Sequence, residues 1–90
     1  MMKTIQLRVT GRVNGVGYRH YVKKKANEYK IFGFVQNESE GSILIEAEGE
    51  HIDIETFLDC CYRGSVLSKI RDVKVYDLPF RGYVMFEIKN

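Results

Sequence analysis

An α+β sandwich with a β-α-β-β-α-β order of elements is predicted for this chain, on three observations. Residues 3–13 alternate apolar and polar side chains, the period of a half-buried strand. Two later segments, near 19–30 and 50–63, repeat their apolar residues at helical spacing. The remaining apolar runs are short, alternating and bounded by glycine, proline or acidic turn residues. Elements in that order pack as a split βαβ unit, with two helices covering one face of an antiparallel sheet.

In the first strand Ile5, Leu7, Val9 and Val13 point one way, while Gln6, Arg8, Thr10 and Arg12 point the other. Gly11 takes an inward position, where a missing side chain admits another backbone or a ligand. The first helix presents Tyr18, Val22, Ala26 and Tyr29 on one stripe, with Lys23, Lys24, Asn27, Glu28 and Lys30 elsewhere. Gly33–Asn37 and Ile43–Glu48 then read as a β-hairpin around Glu38-Ser39-Glu40-Gly41. That reading puts Glu38 and Glu40 in a solvated turn, and Glu46 and Glu48 on the outer, solvated side of the second strand. In the second helix Ile54, Phe57, Leu58 and Cys61 form the core stripe, Asp53 is the expected N-cap and Gly64 the stop. Val73 and Val75 mark a fourth strand that ends before Pro79. Val84, Phe86 and Ile88 mark a closing strand, or the second half of a bent one.

Bulk properties narrow the function classes. Ninety residues, 44% hydrophobic, with six tyrosines and five phenylalanines, suit one domain over 1–90 with a real core. Fourteen basic and twelve acidic residues give a net charge of +2, too balanced to create a field for nucleic acid or a membrane surface. No apolar run approaches the ~20 residues of a membrane-spanning helix, and the N-terminal residues lack the apolar h-region of a signal peptide. The vicinal pair Cys60-Cys61 is poorly placed for an unstrained disulfide and too small for a structural zinc site. Reduced thiols on one helix are expected, and with them a cytoplasmic location.

Gly11-Arg12-Val13-Asn14-Gly15-Val16-Gly17-Tyr18-Arg19 joins the first strand to the first helix. Glycines before a helix expose unpaired N–H donors, and Arg19 adds a planar cationic fork; together they suit an anion such as a phosphate group. The spacing Gly-x-x-x-Gly-x-Gly fits neither the Walker loop nor the dinucleotide fingerprint. His20 and His51 are far apart, and no metal-ligand spacing occurs among the Asp, Glu, His and Cys residues.

Two features invite a nucleic-acid reading. Lys23–Lys25 is more cheaply explained as a solvated helix face. Lys30-Ile31-Phe32-Gly33-Phe34-Val35-Gln36-Asn37 is an imperfect copy of the aromatic octapeptide of RNA-binding sheets. It breaks at Ile31 and Asn37 and falls on the second strand rather than the third. An RNA-binding domain is therefore a minor alternative.

The residues from Val9 to Arg19 resemble the phosphate-loop signature of the acylphosphatases. Gly33-Phe34-Val35-Gln36-Asn37, followed by Gly41, Ser42, Ile43 and Gly49, resembles that family's second signature, and the likeness covers nearly the whole chain. The resemblance implies a ferredoxin-like βαββαβ sandwich. It also implies hydrolysis of the carboxyl–phosphate anhydride of small acyl phosphates to carboxylate and inorganic phosphate. By the same resemblance Asn14, Gly15, Val16, Gly17, Tyr18 and Arg19 hold the phosphoryl group, Arg19 and Asn37 are catalytic, and Asn37 positions the attacking water. No metal or organic cofactor is implied, and a monomer with no nucleic-acid or membrane partner is expected. A non-catalytic phosphate-binding module is the runner-up. An acylphosphatase-like domain also opens hydrogenase-maturation carbamoyltransferases, a context disfavoured by the 90-residue length and by His20, where those domains usually carry Pro. Relatives usually have Gln for Asn14, Phe for Tyr18, Val for Ile43 and often Gly for Lys30. Tyr18 and Ile43 keep bulk and should matter little, whereas Asn14 shortens a side chain beside the loop. Lys30 must adopt a helix-end conformation that Gly takes at less cost.

Overall fold

In the computed structural model, which describes residues 1–90, the first alternating segment forms strand β1 (Met2–Arg12) at the centre of the sheet. After it come α1 (Tyr18–Glu28), β2 (Phe32–Asn37), β3 (Ile43–Glu50), α2 (His51–Arg63), β4 (Lys69–Leu78) and β5 (Phe86–Lys89). The sheet order is β4-β1-β3-β2-β5. The first four strands pair antiparallel, as the sequence suggests. The last is the exception, because β5 lies parallel to β2, with Gly33 beside Phe86.

Alternation decides which face is dry. Ile5, Leu7, Val9, Val35, Ile43, Ile45 and Ala47 meet Tyr18, Val22 and Ala26 of α1 and Ile54, Phe57 and Cys61 of α2 in one buried cluster. Both helices therefore cover the same face. Leu7, Val9 and Ile45 are wholly inaccessible, and burying each side chain of this size is worth about 1.5–3 kcal/mol. At Gly11 the close neighbour is backbone and not ligand: a Cβ there would stand 2.1 Å from the Lys69 carbonyl oxygen. This approach coincides with a register shift between Thr10 and Gly11 against β4.

Lys30 takes the cost expected of it, ending the first helix at φ 56. Three expectations need correction. Asp53 is not the N-cap of α2; β3 runs directly into the helix, Glu50 is the cap residue, and its side chain instead pairs with the N-terminal ammonium at 2.8 Å. The closing strand starts only at Phe86, because residues 79–85 cross the outer face before joining the sheet edge, which leaves Val84 exposed.

The third correction concerns Glu46 and Glu48, which are buried rather than solvated. The 79–85 crossing covers them. Glu48 accepts hydrogen bonds from the Thr4 hydroxyl at 2.5 Å, the Arg81 N–H at 2.7 Å and the Tyr83 N–H at 2.9 Å. Glu46 accepts from Gln6 Nε2 at 3.1 Å and from the Tyr83 hydroxyl, with Arg81 Nε at 3.9 Å. Burial pushes the Glu48 carboxyl up, yet the Thr4 hydroxyl and the strap's backbone N–H groups outweigh it and hold it below its ordinary value. Burial and the bond to Glu46 push the Tyr83 phenol up to about 12. The same crossing sets Tyr83 edge-on against Phe34, and Lys89 Nζ lies 4.2 Å from the Phe34 ring centre.

Candidate active site

The loop between β1 and α1 turns on two left-handed glycines, Gly15 at φ 68 and Gly17 at φ 77. A Cβ would meet nothing within 4 Å at either position. Backbone conformation, not crowding, therefore demands glycine there. Gly17 is the cap residue of α1 and offers no side chain, and the first turn carries no acidic residue. Tyr21 N–H is bonded to the Gly17 carbonyl at 3.0 Å, so the N–H groups of Tyr18, Arg19 and His20 precede the first intrahelical acceptor. These donors lie at the positive end of the helix dipole.

Arg19 stands in that first turn, half-buried. The ion pairs of the molecule engage Lys3, Arg8, Lys25, His51, Arg63, Arg81 and the N-terminus, and none engages Arg19. Its guanidinium fork is thus uncommitted within the fold.

Asn37 is the last residue of β2, opposite Ile43 at the start of β3. Fold topology carries it to the loop: Asn14 Nδ2 donates to Asn37 Oδ1 at 3.2 Å, across 23 residues of chain. The turn after Asn37 is held from several sides. Glu38 N–H donates to the Ser42 carbonyl at 2.9 Å and Gly41 N–H to the Glu38 carbonyl at 3.0 Å. Arg8 NH1 reaches Glu40 Oε2 and Ser42 Oγ, each at 3.1 Å. Glu40's own backbone N–H, the Ser42 hydroxyl and Arg8 together hold the Glu40 carboxyl below its ordinary value. The acidic turn is accordingly an anchored one.

Behind the loop, two tyrosines fasten α1 to the end of α2. Tyr18's hydroxyl donates to the Cys61 carbonyl at 2.9 Å, and Tyr21's to the Cys60 carbonyl at 2.8 Å. The Cys61 carbonyl lies in the helix's last turn, where intrahelical donors run out, and Tyr18 supplies one, whereas the Cys60 carbonyl also accepts the Gly64 N–H at 3.0 Å and takes Tyr21 as a second donor. Burial pushes both phenols up and keeps them protonated as donors. Replacement of phenylalanine by tyrosine at position 18 is thus more than a change of bulk. Cys60 and Cys61 are both buried free thiols. Ser65 Oγ donates to the Val16 carbonyl at 3.4 Å, bringing the α2–β4 connection against the loop.

Of the residues singled out in the sequence, the fold brings Asn14 and Asn37 into contact. It also places Gly15–Arg19 around the uncapped start of α1. The sequence does not point to Tyr21, Ser65 or the Arg8–Ser42 bond as supports of this place. Tyr21 has a local signal, three residues beyond Tyr18 on adjoining faces of one helix; Ser65 and Arg8 have none. The two concave pockets, of about 280 and 270 Å³, lie away from this place, along Met2–Thr4 with Phe80 and along the 82–85 strap. The cradle is open rather than enclosed.

The family model described as Acylphosphatase matches residues 5–88. An acylphosphatase of Bacillus licheniformis is 40% identical over 81 residues, covering 89% of this chain and 90% of that protein. The crystal structure of acylphosphatase from Bacillus subtilis matches with a TM-score of 0.95 at 33% identity, over 100% of both chains. A crystal structure of full-length HypF in its phosphate- and nucleotide-bound form matches with a TM-score of 0.91 at 33% identity, over 100% of this chain and 12% of that one.

Proposed function

Because the chain belongs to the acylphosphatase family, enzymes that split the carboxyl–phosphate anhydride, we propose that Arg19 and the N–H groups of the 14–19 loop hold the phosphoryl end of a small acyl phosphate while Asn37 positions the attacking water. The observation that carries this reading is the Asn14–Asn37 hydrogen bond, which joins the anion cradle to an amide able to hold water. The uncommitted Arg19 and the uncapped start of α1 support it.

The chemistry needs few parts. Water's oxygen forms a bond to phosphorus as the bond from phosphorus to the carboxylate oxygen breaks, and the water's protons pass to phosphate and solvent. A carboxylate with a free-acid pKa near ~4–5 leaves without a general acid. Catalysis then rests on placement and on stabilising charge at the phosphoryl oxygens, the work of the Arg19 fork and the backbone donors. Asn37 is no base at neutral pH, but its Oδ1 has a lone pair beyond the one Asn14 engages, and that lone pair accepts from water.

The test follows benzoyl phosphate disappearance with and without EDTA. Metal-independent multiple turnover is expected in the wild type, with Arg19→Ala and Asn37→Ala each losing roughly a hundredfold or more in kcat/KM. Normal turnover in both variants would remove the assigned roles. Phosphate binding without turnover in the wild type would leave only a binding module.

The same reading extends to setting: one domain over 1–90, acting as a cytoplasmic monomer with no nucleic-acid partner. One continuous core supports the domain, and two buried free thiols suit a reducing compartment. Lys69, Arg71, Asp72, Lys74 and Asp77 along the edge strand β4 discourage pairing with a second copy. Phe34, the aromatic an RNA base would stack upon, is covered by Tyr83 and Lys89. No helix is long and apolar enough to cross a membrane.

A further inference from the structure

We propose that the Asn14 side chain is a positioning residue for Asn37, selecting the orientation of its amide, and that it does not itself bind the phosphoryl group. The inference rests on the water-positioning role given to Asn37 above. A carboxamide is nearly symmetric in shape and opposite in chemistry at its two ends, so a half-turn of the Asn37 side chain exchanges an acceptor for a donor. On an exposed strand end nothing in its own backbone prevents that exchange. Asn14 does: its Nδ2 donates to Asn37 Oδ1 at 3.2 Å, and the flipped amide would bring two NH₂ groups face to face. The bond occupies one lone pair of Oδ1, leaves the other for water, and polarises the amide further.

Asn14 lies between two loops. Its Oδ1 faces the β2–β3 turn, near enough that a Cβ at Gly41 would touch it at 3.7 Å. With Nδ2 on Asn37 and Oδ1 toward Gly41, the side chain bridges the phosphate loop to the hairpin that carries the water-positioning group. The short asparagine is sufficient for this span.

A double-mutant cycle tests the inference, read by steady-state benzoyl phosphate hydrolysis and by competitive inhibition with inorganic phosphate. Asn14→Ala is expected to lower kcat roughly tenfold, with KM and the phosphate inhibition constant within about twofold of wild type. Asn14→Gln keeps the donor and is expected to keep most of kcat. Added to Asn37→Ala, Asn14→Ala is expected to cost nothing more. Equal losses in the two backgrounds, or a loss confined to phosphate affinity, would overturn the positioning role while leaving Asn37's role intact. Full activity of Asn37→Ala alone would overturn both. Thermal midpoints unchanged in Asn14→Ala separate the result from misfolding, as expected for an exposed side chain.

Discussion

The two polar regions of this molecule are built on opposite plans. At the β1–α1 loop, the donors at the start of α1 precede any intrahelical acceptor, Arg19 has no ion-pair partner, and the glycines leave open space. Across the outer face, the 79–85 strap delivers N–H groups and hydroxyls to two buried carboxylates until no buried side-chain polar atom lacks a partner. One region withholds internal partners and stays available to a ligand; the other saturates its groups and closes. The contrast separates the place proposed for chemistry from one organised for stability, though both are rich in charge.

Crossed substitutions sharpen that contrast. Arg19→Ala is expected to lower kcat/KM by roughly a hundredfold or more, about 3 kcal/mol in the transition state, with the urea midpoint unchanged. Glu48→Ala should do the reverse. It strands the Thr4 hydroxyl and the Arg81 and Tyr83 N–H groups, at about 2–4 kcal/mol of unfolding free energy, with turnover retained below the new transition. A large activity loss in folded Glu48→Ala would break the separation.

The pH dependence follows the same line. Glu48 is held below its ordinary value in the fold, so its contribution is present above the unfolded carboxylate pKa near ~4.3 and is lost as pH falls through the lower folded value. Urea midpoints measured from pH 6 down to 3 should fall in the wild type and fall less in Glu48→Gln.

Smaller effects probe the supports behind the loop. Tyr18→Phe removes the donor to the buried Cys61 carbonyl and is expected to destabilise by about 1–2 kcal/mol by urea titration. Lys30→Gly relieves a left-handed lysine at φ 56 and is expected to stabilise by about 0.5–1 kcal/mol in the same assay.

Local pattern alone determined a good deal. Alternation in residues 3–13, the stripes from Tyr18 to Tyr29 and from Ile54 to Cys61, and the turn at 38–41 sufficed for element order and core. Each is written within a few neighbouring residues whose period matches the backbone geometry. Glycines before Arg19 suggested a loop suited to an anion for the same reason, while the left-handed backbone of Lys30 was expected only through the family resemblance, in which glycine is frequent at that position. Tertiary structure decided the rest. Alternation at Glu46 and Glu48 says only that they face away from the helices; whether that face is wet depends on a strap arriving from 33 to 37 residues later. The parallel pairing of β5 follows from the same crossing. Asn14 and Asn37 meet because β1 and β2 both run antiparallel to β3 on either side of it and finish at the same end of the sheet. Their partnership has no local period to announce it, since a hydrogen bond depends on where two chain segments come to rest and not on the spacing within either.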